Sequence, residues 1–92
     1  MNSDQKRKLV EQALKTEDSD PLYMDGFDNA IIGIAQRSNN PHFVAYSESG
    51  IIEQLMSDGL SQEKAYEYFY FNIVGAWLGQ DTPIIVTDLL SL

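Results

Sequence analysis

The first stretch of the chain mixes apolar and polar positions with the period of an amphipathic α-helix. We predict this helix over residues 1–16. Its apolar stripe consists of Leu9, Val10, Ala13 and Leu14. Residues 17–29 then lose the period, because they combine acidic side chains, turn formers and Pro21. We expect an acidic connector here, and a body over residues 23–86 that folds without the N-terminal helix.

Short β-branched runs predict three strands. The first run covers residues 30–35 and the second covers residues 42–46, with a dense cluster of turn formers between them. This arrangement is typical of an antiparallel hairpin. A third strand is predicted over residues 82–87, where a proline at the strand entry precedes three branched apolar residues.

Two helices are predicted between the second and the third strand. Ser47 is placed to cap a helix over residues 48–58, which ends at an Asp-Gly pair. Ser61 is placed to cap a longer helix over residues 62–78. The second helix has so little polar surface that we expect it at the centre of the core or of an interface.

The predicted order of elements is α-β-β-α-α-β. In a chain of 92 residues this order indicates a single α+β domain. Its body, residues 30–88, is expected to hold a small three-stranded, mainly antiparallel sheet with helices packed on one face.

Charge and cysteine content exclude several classes of function. The chain has 14 acidic and six basic residues, a net charge of −8, so we expect no direct binding to nucleic acid. It has no cysteine, which excludes disulfides, thiol nucleophiles and cysteine-ligated metals. We find no signal peptide and no apolar run long enough to span a membrane, so we expect a cytoplasmic protein without a membrane partner.

The charge is unevenly distributed along the chain. The first 15 residues hold four basic and two acidic residues, a net charge of +2, while the remainder holds two basic and 12 acidic residues, a net charge of −10. Lys6, Arg7 and Lys8 have two interpretations. The run is either the solvated face of the first helix, which we favour, or a segment that docks on an acidic body, its own or a neighbouring subunit's.

Two groups of polar residues are candidates for chemistry, and both lack the companions that chemistry needs. His42 is the only histidine, so we favour a structural or solvent-facing role over a catalytic dyad. The acidic group consists of Asp18, Asp20, Asp25 and Asp28. Its order does not match an EF-hand loop, and turns explain it more simply than a calcium or magnesium site. We predict no catalytic residue, no metal and no cofactor.

The helix over residues 62–78 carries six of the ten aromatic residues of the chain. Stacking on nucleic-acid bases would need a basic groove beside the rings, and the sequence shows none. We therefore favour core packing for some rings and a protein interface for the others. Asn72 either bonds a neighbouring loop, which we favour, or specifies a partner. The predicted interface residues are Glu63, Tyr66, Glu67, Tyr68, Tyr70, Asn72 and Trp77.

Two stretches form a recognisable pattern. The first is Asp-Gly-Phe-Asp-Asn-Ala-Ile-Ile-Gly at residues 25–33. The second is Ala-Tyr-Glu-Tyr-Phe at residues 65–69, which continues through Phe71-Asn72, Gly75-Ala76, Gly79 and Thr82-Pro83. Together they resemble a family of small, mostly uncharacterised proteins encoded by tailed bacteriophages. The resemblance leaves out the basic N-terminal segment and brings no catalytic assignment. It implies action in the cytoplasm of an infected bacterium.

These observations lead to three hypotheses on function. We favour a small, acidic, non-enzymatic accessory protein that binds and modulates a host or phage protein, such as a component of host defence or transcription. Its extreme form is a nucleic-acid mimic. The alternative is a protein that binds or sequesters a small molecule or a nucleotide, with Arg37, Asn72 and the tyrosines as contacts. A small hydrolase that uses His42 ranks last.

Self-association is the final expectation. A domain of this size has too little interior to hide all the aromatic rings together with the leucines near the C-terminus. These leucines are Leu89, Leu90 and Leu92. We therefore predict a homodimer or a higher homo-oligomer.

Overall fold

The computed structural model of the protein describes residues 1–14, 21–36, 42–75 and 82–89. The helices are α1 (Ser3–Leu14), α2 (Glu48–Ser57) and α3 (Gln62–Tyr68). The strands are β1 (Ile31–Ala35), β2 (Phe43–Ser47) and β3 (Ile84–Val86). A 3₁₀ turn, Asp28–Ala30, precedes β1, and a π-helical segment, Phe69–Val74, continues α3. The predicted α+β class and the order α-β-β-α-α-β are confirmed.

The sheet has the strand order β1-β2-β3 and is mixed. β1 and β2 form the predicted antiparallel pair, in which Gly33 lies opposite Ala45 and Ala35 lies opposite Phe43. β2 and β3 run parallel, so the expectation of a mainly antiparallel sheet is wrong for this pair. The physical reason is the connection between them. α2 and α3 form a helical crossover, which returns the chain in the direction that it left.

Serine caps begin two of the helices, as predicted. The Ser47 hydroxyl accepts a hydrogen bond from the Gly50 N–H at 3.0 Å and so begins α2. The Ser61 hydroxyl accepts one from the Lys64 N–H at 3.2 Å and begins α3. The second helix differs from its prediction, because its α-helical part ends at Tyr68 and a π-helical segment follows. Its predicted end near residue 78 lies outside the described residues.

Buried apolar side chains form one cluster where the helices meet the sheet. Its members are Val10, Leu14, Ala30, Ile31, Val44, Tyr46, Ile51, Ile52, Leu55, Ala65 and Phe69. Tyr46 is fully buried, and its hydroxyl accepts a hydrogen bond from the Met24 N–H at 2.8 Å. This bond fastens the segment before the 3₁₀ turn to the central strand.

α2 touches the 3₁₀ turn without an intervening side chain. A Cβ atom on Gly50 would lie 3.0 Å from both Cα and Cβ of Ala30, which is tighter than most Cβ contacts in proteins. The missing side chain therefore permits the close packing of α2 on the turn.

α1 is part of the core and is not a separate arm. Val10 and Leu14 are buried, and α1 packs against β1 and the 3₁₀ turn. Leu9 and Ala13, the other members of the predicted stripe, are exposed. This packing opposes the expectation that the body folds without the helix, which stays a prediction for a truncation experiment.

The described part of the predicted connector also contributes to packing. Tyr23, Met24 and Phe27 are partly buried against the core cluster. Apolar side chains at these positions bury surface that an acidic linker would leave in water. Residues 15–20 lie outside the described residues.

The basic segment docks on the body of its own chain. The Arg7 guanidinium lies 3.5 Å from the centroid of the Tyr23 ring and 3.2 Å from the Asp28 carboxylate. The Lys6 ammonium donates to the Asn29 carbonyl. Lys8 alone of the three is exposed. The structure thus supports docking for two members of the run and a solvated position for the third.

Candidate interaction surface

Two buried residues attach α3 to the rest of the molecule. Ala65 and Phe69 lie one helical turn apart, both belong to the core cluster, and α3 packs on α2. Residues four apart share one face of a helix, so the residues between these two anchors project in other directions. Of the aromatic residues at those positions, Tyr68 is exposed and Tyr66 is partly buried.

The π-helical segment presents large apolar side chains to solvent. Phe71 is 83% exposed, Tyr70 57%, Val74 51% and Tyr68 45%. We call these four residues the aromatic surface. π-Helical turns are rare, occur mostly as single-turn bulges inside α-helices, and are frequently found at functional sites. A six-residue π segment that carries exposed rings is therefore a candidate site.

The ring of Tyr70 is held in place by two neighbouring rings. It stacks with Tyr66 at a centroid distance of 6.3 Å and meets the buried Phe69 edge to face at 5.2 Å. A ring whose orientation is already set loses less conformational entropy when a partner covers it.

A shallow cavity of about 320 Å³ lies beside the aromatic surface, between Leu60, Tyr68, Phe71 and Asn72. A charged pair borders it, since the Lys64 ammonium is 3.6 Å from the Glu67 carboxylate. Both charged side chains are more than half exposed, so the pair adds little to stability. A partner that covers the rings could therefore contact a positive charge at Lys64 and a negative charge at Glu67.

Most of the predicted interface residues reach the surface of this helix. The exposed ones are Glu63, Glu67, Tyr68, Tyr70 and Asn72. Tyr66 is half-buried and packs against the core cluster, while Trp77 lies outside the described residues. Asn72 lines the shallow cavity.

The predicted set omits Phe71 and Val74, which are both more than half exposed. A signal for Phe71 was present in the sequence. Phe71 follows Glu67 by four residues and Lys64 by seven, a spacing that places it on the charged face of the helix.

A second polar cluster lies at the N-terminus of α2. The Ser47 hydroxyl donates to the Asp88 carboxylate at 2.8 Å, and the Ser49 N–H also points to that carboxylate, at 3.4 Å. The bond from Ser47 holds the pKa of Asp88 below its usual range, against the opposing effect of burial. The cluster closes the helix end and secures the chain after β3.

The residues considered for catalysis or metal binding are not brought together in the described part of the chain. His42 precedes β2, at the opposite end of that strand from the serine and aspartate cluster. Asp28 is paired with Arg7, and Asp25 is exposed in a turn. Asp18 and Asp20 lie outside the described residues. Within residues 1–14, 21–36, 42–75 and 82–89, no group of three or more acidic or histidine side chains could hold a metal ion.

Comparison of the chain with family models, with curated proteins and with solved structures gave no match.

Among the helices of the described residues, none combines the length and the apolar character that crossing a bilayer requires.

Proposed function

We propose that this protein is a non-enzymatic interaction protein that binds a protein partner through the aromatic surface. The observation that carries the proposal is the exposure of Phe71 at 83%, beside two exposed tyrosines on an irregular helix. Aromatic side chains dominate binding energy at protein interfaces, since each buries a large area with few rotatable bonds. The helix that carries the aromatic surface is anchored in the core by Ala65 and Phe69, which holds its exposed rings in place.

A protein suits this surface better than a small molecule does. The cavity beside Phe71 has a volume of about 320 Å³, at the lower end of the range for ligand sites, but it is shallow. Ligand sites usually bury most of the ligand surface, which an open depression cannot do. The ammonium of Lys64 already faces Glu67, and the net charge of −8 opposes a phosphate group. Binding or sequestering a small molecule or nucleotide is the alternative that the test below separates.

The net negative charge of this chain favours a partner whose binding surface is positively charged. An acidic body attracts a partner with a basic rim around an apolar centre, and this complementarity speeds association. The resemblance to small tailed-phage proteins adds the proposal that the partner is a host or phage protein in the bacterial cytoplasm, such as a component of defence or transcription.

Local structure at the polar groups is consistent with a protein that catalyses no reaction. The Ser47 hydroxyl donates to Asp88 and accepts from the Gly50 N–H, so it serves as a helix cap. His42 stands a full strand away from this cluster. A nucleophile needs a base within hydrogen-bond reach.

Affinity capture with matched variants tests the proposal. Immobilised wild type, Phe71→Asp, Tyr68→Asp and the control Met56→Asp are exposed to a lysate of the bacterial host. Met56 is exposed on α2 and does not line the cavity beside the aromatic surface. We expect one dominant captured protein with the wild type and the control, and its loss with both aromatic variants. Equal capture by all four proteins would contradict the proposal, and a metabolite retained in the mass spectrum of the purified protein would favour the alternative.

A further inference from the structure

A second exposed apolar surface lies on α1 and β1, whose main packing partners do not include α3. Leu9 of α1 is 50% exposed and Ile32 of β1 is 53% exposed. Together with Met1, Val10 and Ile31 they line an open groove of about 420 Å³, which we call the α1 groove. A cavity of about 150 Å³ is enough for a benzene ring, so the α1 groove has room for an aromatic side chain and its neighbour.

The α1 groove and the aromatic surface lie at opposite ends of a chain of packed elements. α1 packs on β1 and the 3₁₀ turn, the turn packs on α2, and α2 packs on α3. The two surfaces therefore lie on elements that do not pack closely on each other. Two molecules can bring them together if they associate head to tail.

The charges around the two surfaces are complementary. Lys6 lines the α1 groove, and Lys8 lines the adjoining depression on the exposed side of Leu9. Glu63, Lys64 and Glu67 stand exposed on α3, so this helix carries a net charge of −1. The basic side chains at the α1 groove are unusual in a protein with a net charge of −8, and their sign is opposite to the net charge of α3.

An extended strand that pairs with β1 is an alternative occupant of this region, but the irregular edge of the sheet is poorly suited to it. β1 is an edge strand, but its pairing register shifts between Ile31 and Gly33, where Ile32 forms a bulge. A bulge breaks the regular row of backbone donors and acceptors, which is a common protection of edge strands. The groove thus offers side-chain contacts in preference to backbone pairing.

We propose that the α1 groove binds the aromatic surface of a second copy of this chain, in a head-to-tail contact that inserts Phe71 beside Leu9. The inference rests on the proposed function in one respect, since both use the aromatic surface. It adds that self-association and partner binding compete for Phe71. A partner with higher affinity then releases the copies from one another.

Mixing two disabled variants tests this contact. In sedimentation equilibrium we expect the average mass of the wild type to rise with concentration. Leu9→Glu and Phe71→Glu should each weaken self-association by about tenfold or more, as expected for a central apolar contact. Leu9→Glu keeps an intact aromatic surface and Phe71→Glu keeps an intact groove, so their mixture should form a one-to-one dimer that does not extend.

A control variant on the same helix tests whether the effect of Leu9→Glu is specific to the groove. Ala13→Glu lies exposed on α1 outside the groove lining and should associate like the wild type, while circular dichroism checks that each variant is folded. A wild type that stays monomeric at all concentrations overturns the proposal, and so does a mixture of the two variants that stays monomeric. Strand pairing at β1 would instead be indicated if Ile32→Pro abolished association and Leu9→Glu did not.

The same variants keep this inference separable from the proposed function. Leu9→Glu should lose self-association and retain capture of the host partner. If Phe71→Glu loses self-association but retains capture, the proposed function fails and the head-to-tail contact stands.

Discussion

The Ser47 hydroxyl donates a hydrogen bond to the Asp88 carboxylate at 2.8 Å, across 41 residues of sequence. The same hydroxyl accepts from the Gly50 N–H, so one oxygen atom joins the end of β2, the start of α2 and the segment after β3. This junction holds the parallel strand pair in register from its C-terminal side.

Replacement of Asp88 by asparagine should lower the free energy of unfolding by about 1 kcal/mol at pH 7, because an amide is a weaker acceptor than a carboxylate. The lowered pKa of Asp88 sets the sign of the pH dependence. Stabilisation by the carboxylate is complete at neutral pH and is lost as the pH falls below about 4. Urea unfolding at pH 7 and pH 3 should show the difference between wild type and Asp88→Asn shrinking at the lower pH. Asp25→Asn, at an exposed turn position, should show no such difference at either pH.

Alanine substitutions in α1 should lower the free energy of unfolding much more at a buried position than at an exposed one. Leu14→Ala removes a buried side chain and should cost about 2–5 kcal/mol. Leu9→Ala, at a half-exposed position on the same helix, should change stability by less than about 1 kcal/mol. Chemical denaturation measures the change in the free energy of unfolding for both variants.

Deletion of residues 1–14 should abolish the cooperative unfolding transition, because small domains have little stability in reserve. A truncated protein that still unfolds cooperatively would show that α1 is dispensable for folding.

Tyr46→Phe should destabilise the protein by about 1–2 kcal/mol, since it leaves the Met24 N–H without its acceptor while the ring volume is unchanged. Tyr70→Phe is the matched control, because its ring is exposed and its change should stay within about 0.5 kcal/mol. Thermal unfolding of the two variants compares them directly. An equal effect at both positions would mean that the buried hydroxyl contributes nothing.

A double-mutant cycle on Arg7 and Asp28 should give a coupling energy of about 0.5 kcal/mol, as expected for a pair with partly exposed side chains. Arg7→Gln should cost more than this coupling, because it also removes the contact with the Tyr23 ring. Lys8→Gln, its exposed neighbour, should be neutral. The coupling should weaken at 1 M salt, and a coupling that is insensitive to salt would argue against an ionic origin.

Local signals were sufficient to predict most elements of this fold. The caps at Ser47 and Ser61 depend on contacts within one turn, which a short window of sequence contains. The parallel pairing of β3 was also within reach, because two helices between β2 and β3 favour a crossover over a hairpin. The apolar stripe predicted for α1 is correct for Val10 and Leu14, which are buried, and wrong for Leu9, which is half exposed.

The candidate site was harder to predict. The change from α-helix to π-helix after Tyr68 had no signal in the sequence pattern, because a period of 3.6 residues describes the α-helix alone. The bond between Ser47 and Asp88 depends on tertiary packing across 41 residues and leaves no local trace. The docking of Arg7 on Tyr23 and Asp28 is likewise a product of the folded chain, and sequence could only offer it as one of two alternatives.

The contact between Gly50 and Ala30 determines a length of the molecule. A methyl group on Gly50 would lie 3.0 Å from both the Cα and the Cβ atom of Ala30, so α2 or the 3₁₀ turn would have to move by a few tenths of an ångström. Because α1 packs on this turn and α3 packs on α2, such a shift in Gly50→Ala would also change the spacing between α1 and α3.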